Sequence, residues 1–90
     1  MQILVADDDD ISRTILVHAL REAGYDTVEA VDGAEALDKL RTSNCRLVIT
    51  DWEMPRMSGI EFCRAVRQNE AAGYVYIILL TSRDSSRETV

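Results

Sequence analysis

Four short apolar runs alternate with stretches that carry helix signals, and this alternation constrains the fold more than any other feature of the chain. The runs are Ile3-Leu4-Val5-Ala6, Thr27-Val28-Glu29-Ala30, Leu47-Val48-Ile49-Thr50 and Val75-Tyr76-Ile77-Ile78-Leu79-Leu80. The first, third and fourth are apolar almost throughout and rich in branched residues, which suits parallel strands covered on both faces. The second is shorter and more polar, as an edge or near-edge strand would be. Between the first two runs, Ile11, Ile15, Ala19 and Ala23, with Leu16 and Leu20, predict one apolar helix face that stops at Gly24. Asp32-Gly33-Ala34-Glu35 has capping-box spacing ahead of Leu37 and Leu40. Ser58-Gly59-Ile60-Glu61 repeats that box before Phe62, Cys63 and Val66, and Ser85-Ser86-Arg87-Glu88 opens a further one close to Val90. The order is βαβαβαβ followed by an opening helical turn, with no linker, repeat or low-complexity segment.

A chain of 90 residues holds one domain, near the size at which a single core becomes marginal. Its net charge of −6 argues against binding a phosphate backbone. The runs Ile3–Ala6 and Val75–Leu80 are far too short to span a bilayer. Asp7–Asp10 interrupts the N-terminus where the apolar core of a signal peptide would continue. Cys45 and Cys63 lack CxxC spacing, which points to a reducing compartment rather than to zinc or a disulfide framework. A soluble cytoplasmic domain is expected.

The βα alternation with short loops implies a doubly wound parallel sheet, whose ligands bind beyond the carboxyl ends of the strands where strand order reverses. In a flavodoxin-like order that crevice lies between the first and third strands, just after Ala6 and just after Thr50. Asp7-Asp8-Asp9-Asp10 follows the first strand and Asp51 follows the third. A solvated run that caps the first helix accounts for Asp9 or Asp10. It accounts poorly for Asp7 and Asp8, which directly follow a buried strand. Two carboxylates ~4 Å apart repel by ~4 kcal/mol at an effective dielectric of ~20. A divalent cation, or protonation of one acid, would relieve that repulsion. Mg2+ suits the set, because it takes one or two carboxylates, keeps several waters and leaves room for a phosphate oxygen. The EF-hand pattern of Ca2+ is missing, and no His or Cys stands near to favour zinc. A carboxylate held beside Mg2+ can also act as a nucleophile toward a phosphoryl group. Thr81 and Ser82 follow the fourth strand at the same edge, where a hydroxyl would meet a phosphoryl oxygen or simply begin a turn.

Together these residues resemble the receiver domain of bacterial two-component response regulators. Ile3–Asp9 looks like its first strand and acidic pair. Leu47–Asp51 with Trp52-Glu53-Met54-Pro55-Arg56-Met57-Ser58-Gly59 looks like its phosphoacceptor strand and Met-Pro…Gly loop, and Ile77–Ser82 looks like its switch strand. The resemblance implies phosphorylation at Asp51. It implies Mg2+ held by Asp7, Asp8, Asp51 and the backbone carbonyl of Glu53, with Asp8 in direct contact and Asp7 acting largely through water. Thr81 would be the hydroxyl that moves on activation, and Ser82 the small residue that leaves the phosphoryl group accessible. Pro55 and Gly59 would shape the loop.

The family's fifth strand ends in a Lys that pairs with the phosphoryl group. The single Lys of this chain is Lys39, on the second helix, so that role has no candidate here. The expectation is therefore a (βα)5 receiver fold truncated after the fourth strand and the start of the fourth helix, with apolar surface uncovered on the fourth strand and first helix. If the chain folds alone, a homodimer covering the open sheet edge is expected rather than a monomer. The implied function is Mg2+-dependent transfer from a sensor histidine kinase or phosphotransfer protein to Asp51. This would be a regulatory phosphoacceptor and not a metabolic enzyme, signalling incompletely without the Lys, with any output domain lying beyond Val90. Two other readings stand beside it. One is a phosphatase working through an aspartyl phosphate, on the DxD spacing of Asp7 and Asp9; the other is a receiver-like interaction module that never meets phosphate. Trp52, Arg56 and His18 are expected at the surface, Tyr74 and Tyr76 beside the fourth strand, and both cysteines half-buried.

Overall fold

The computed structural model describes residues 1–68 and 74–80. Its elements are β1 (Gln2–Ala6), α1 (Asp10–Glu22), β2 (Asp26–Ala30), α2 (Gly33–Thr42), β3 (Leu47–Asp51), α3 (Gly59–Arg67) and β4 (Tyr76–Leu80). The strands form one four-stranded sheet in the order β2-β1-β3-β4, and all three pairings are parallel. This is the flavodoxin-like, doubly wound arrangement expected from the sequence. The Ser85–Glu88 box, Thr81 and Ser82 lie outside the described residues.

The apolar runs become strands because alternate residues find cover on opposite faces of the sheet. On one face Leu4, Ala6, Ala30 and Val48 join Ala36, Cys45, Phe62 and Val66 in a core beneath α2 and α3. On the other face Ile3 and Val5 pack with Val17, Leu16 and Leu20 of α1 and with Leu47 and Ile49. β1 is covered on both sides and lies at the centre, whereas β2 is an edge strand, as its polar composition suggests.

Each helix begins at a polar cap that supplies an acceptor to otherwise unpaired N–H groups. Asp9 caps α1 by accepting from Ser12 N at 2.8 Å. Asp32 caps α2 through Glu35 N at 2.8 Å. Glu35 reaches back to the N–H of Val31 rather than to Asp32, so the box there is displaced by one residue. At α3 the Ser58–Glu61 box is reciprocal. α1 stops at Ala23, and Gly24 follows with φ of 97°, the left-handed turn that glycine makes without strain.

One packing expectation is corrected, and the expected uncovered apolar surface on the fourth strand and first helix is seen. The buried stripe of α1 is Val17 with half-buried Leu16 and Leu20, while Ile11 and Ile15 are 72% and 65% exposed. The row through Ile11, Ile15, Ala19 and Ala23 is a neighbouring ridge of the same helix, and a helix seats only about 100° of its circumference on a sheet. As expected, the fourth strand leaves apolar surface uncovered on one face among the described residues. Val75 and Ile77 pack on the core, while Tyr76 and Ile78 remain 65% and 46% exposed.

Candidate functional site

The sheet brings the carboxyl ends of β1 and β3 side by side, because Ala6 pairs in register with Thr50. Asp7 leaves β1 directly after Ala6, Asp8 follows, and Asp51 closes β3. One carboxylate oxygen from each of Asp7, Asp8 and Asp51 lies within 4.8 Å of the others. Asp7 and Asp51 are buried, at 7% and 4% exposure, and Asp8 is half-buried. The aspartate run thus divides its labour. Asp7 and Asp8 face the crevice, Asp9 caps α1, and Asp10 pairs with Arg13.

Backbone contacts fix both strand ends. Asp7 N donates to the Ala30 carbonyl at 3.0 Å, and Asp7 Oδ1 accepts from Asp9 N at 2.9 Å. Asp51 Oδ1 accepts from Trp52 N at 2.8 Å, an N–H that also meets the Leu80 carbonyl at 2.9 Å. Beneath Asp51, fully buried Thr50 donates through its hydroxyl to the Asp51 carbonyl at 3.1 Å.

The loop after β3 folds back over this edge. Gly59 N donates to the Trp52 carbonyl at 2.8 Å. A Cβ on Gly59 would overlap the Asp51 carbonyl oxygen and stand 2.9 Å from Leu79 Cδ2, so glycine alone fits there. Past Pro55 the chain makes a three-residue turn, with Met57 N donating to the Pro55 carbonyl at 2.7 Å. Arg56 at its centre takes a φ of 68°. Glu53 and Trp52 are exposed on this loop.

Sequence reasoning treated Arg56 as a solvated loop residue and Asp32 as a cap alone. The structure joins them: Arg56 Nε donates to Asp32 Oδ2 at 3.0 Å, and Nη2 donates to the same oxygen. The Arg56 guanidinium first, then the Glu35 N–H, hold the buried Asp32 carboxyl below the usual carboxylate range. The Val31 N–H, with Lys39, does the same for Glu35. Arg13 was also missed. Its guanidinium meets Asp10, Glu29 and the Asp7 carbonyl, and Asp10 above all raises its pKa. Nothing marks either arginine in sequence beyond a cation a few residues from an acidic run.

Three carboxylates so close make a hard, anionic oxygen donor set, which fits a small divalent cation. Residues 3–90 match the family model described as the response regulator receiver domain. The chain belongs to that family. Phosphoacceptor signalling is the role that fits a receiver domain with this acidic edge, and neither the phosphatase reading nor the phosphate-independent one gains support. Among similar proteins, the chemotaxis protein CheY of Pseudomonas aeruginosa is 40% identical over 83 residues, covering 91% of this chain and 67% of CheY. PhoP of Bacillus subtilis, an alkaline phosphatase synthesis transcriptional regulatory protein, is 37% identical over 99% of this chain but only 36% of its own length. Among solved structures, the response regulator TrrA of Thermotoga maritima in complex with Mg2+-BeF is 36% identical. It superposes with a TM-score of 0.79 and covers 94% of this chain and 74% of TrrA. Among the described residues, no helix of this receiver domain is long and apolar enough to cross a membrane.

Proposed function

We propose that this receiver domain accepts a phosphoryl group on Asp51, with Mg2+ held by Asp7, Asp8, Asp51 and the Glu53 backbone carbonyl. The observation that carries the reading is the convergence of Asp7, Asp8 and Asp51 at two adjacent strand ends. Three carboxylate oxygens within 4.8 Å of one another offer the hard oxygen donors that Mg2+ would share with water. When bound, Mg2+ supplies charge neutralisation for an incoming phosphoryl group. The Asp51 carboxylate then forms a bond to phosphorus while the bond from phosphorus to the donor's nitrogen or oxygen breaks, and the donor departs with that electron pair. Water later cleaves the aspartyl phosphate, which returns the carboxylate and inorganic phosphate.

The donor in this reading is a sensor histidine kinase, a phosphotransfer protein or a small acyl phosphate, in the cytoplasm. The domain turns over only its own phosphate and serves as a regulator, not a metabolic enzyme. Thr81 and Ser82 keep their assignment as the phosphate-sensing hydroxyl and its small neighbour. In sequence they follow Leu80, the register partner of Asp51. Pro55 and Gly59 shape the loop over the acceptor. The exposed Tyr76 and Ile78 on β4 support association of two copies along that edge.

The direct test is incubation with a labelled acyl phosphate and Mg2+. Wild type takes up label, and Asp51→Asn does not; labelling that persists in the variant overturns the assignment.

A further inference from the structure

Among the described residues Arg13 is the most enclosed cation near the acidic edge, with its side chain only 13% exposed, and the phosphoacceptor reading gives it no task. Its guanidinium spans three places at once. Nη1 donates to the Asp7 carbonyl at 2.8 Å, Nε to Glu29 Oε1 on β2 at 3.0 Å, and Nη2 to Asp10 Oδ1 in the first turn of α1 at 2.6 Å. These contacts triangulate the turn from β1 into α1, from which the Asp7 and Asp8 side chains depart. The planar fork of arginine offers several N–H donors in fixed directions, and a lysine ammonium has no such geometry. Two carboxylates already face the guanidinium, so its charge is spent on them rather than on the crevice.

We propose that Arg13 is a positioning residue which, by gripping the Asp7 backbone carbonyl, sets the spread of the acidic cluster and hence its affinity for a divalent cation. This rests on the Mg2+ reading above. A residue that acted through charge would have the opposite sign, because removing a cation beside the site would tighten Mg2+ binding.

The test is an amide NMR titration with Mg2+ alone on wild type, Arg13→Lys and Arg13→Gln. The Asp9 N–H, which donates to Asp7 Oδ1, reports the turn directly. Both variants are expected to shift the Asp9 amide before metal is added and to weaken Mg2+ binding by about tenfold. A merely structural loss would lower the denaturation midpoint and leave the Asp9 amide of the folded, metal-free protein in place. If Arg13→Gln does not fold, Arg13→Lys decides by the same readouts. Wild-type affinity in Arg13→Lys, or tighter binding in Arg13→Gln, overturns the assignment while leaving the Mg2+ reading intact. A wild-type protein with no saturable response to Mg2+ overturns both.

Discussion

At the scale of single residues, two positions combine a steric or electrostatic need with the functional edge. Gly59 has the Asp51 carbonyl where a Cβ would go. Gly59→Ala is therefore expected to cost about 1–3 kcal/mol through overpacking, read by chemical denaturation, and to slow phosphate uptake by displacing the acceptor. Asp32 is held in its charged form by Arg56 and the Glu35 N–H, so its folded pKa lies below its unfolded one. The stability it contributes is complete above the ordinary carboxylate range and is lost as pH falls through the lowered folded value. Asp32→Asn should lower the melting temperature at neutral pH, and the gap to wild type should close below about pH 4. A gap that stayed constant down to strongly acidic pH would remove the electrostatic part of that account. Asp7, Asp8 and Asp51 were legible because topology alone puts the ends of the first and third strands together. Arg56 was not, since its partner lies 24 residues away and the contact depends on a left-handed φ that no composition reveals.

At the scale of elements, strand identity was legible because β1 is buried on both faces and β3 buried on one and half-buried on the other, so both read as unbroken apolar runs. The caps were legible for the same local reason, since Asp9, Asp32 and Ser58 each serve N–H groups within three residues. The seating of α1 was not, because two adjacent apolar ridges compete for one sheet face and periodicity does not rank them. That distinction is measurable. Val17→Ala should cost about 2 kcal/mol and Phe62→Ala about 3–5 kcal/mol, since both side chains are buried. Ile15→Ala, on the exposed ridge, should stay within about 0.5 kcal/mol in the same denaturation experiment. Equal losses at Val17 and Ile15 would mean that α1 sits on the sheet by its other face.

At the scale of the whole molecule, a four-stranded parallel sheet delivers two strand ends to one edge, and the acidic cluster assembles there without a dedicated loop. Exposed Tyr76 and Ile78 lie on β4, the opposite edge strand from β2 among the described residues. Sedimentation should show concentration-dependent association that Ile78→Ser weakens, if two copies meet along that strand. The central claim concerns Asp51, and mass-spectrometric mapping of the phosphorylated residue tests it most directly. Protein treated with an acyl phosphate in Mg2+ should carry one phosphoryl group on the peptide containing Asp51, and chelation of the metal should prevent it. A phosphoryl group mapped to another residue, or uptake at Asp51 that is unchanged after chelation, would contradict the account.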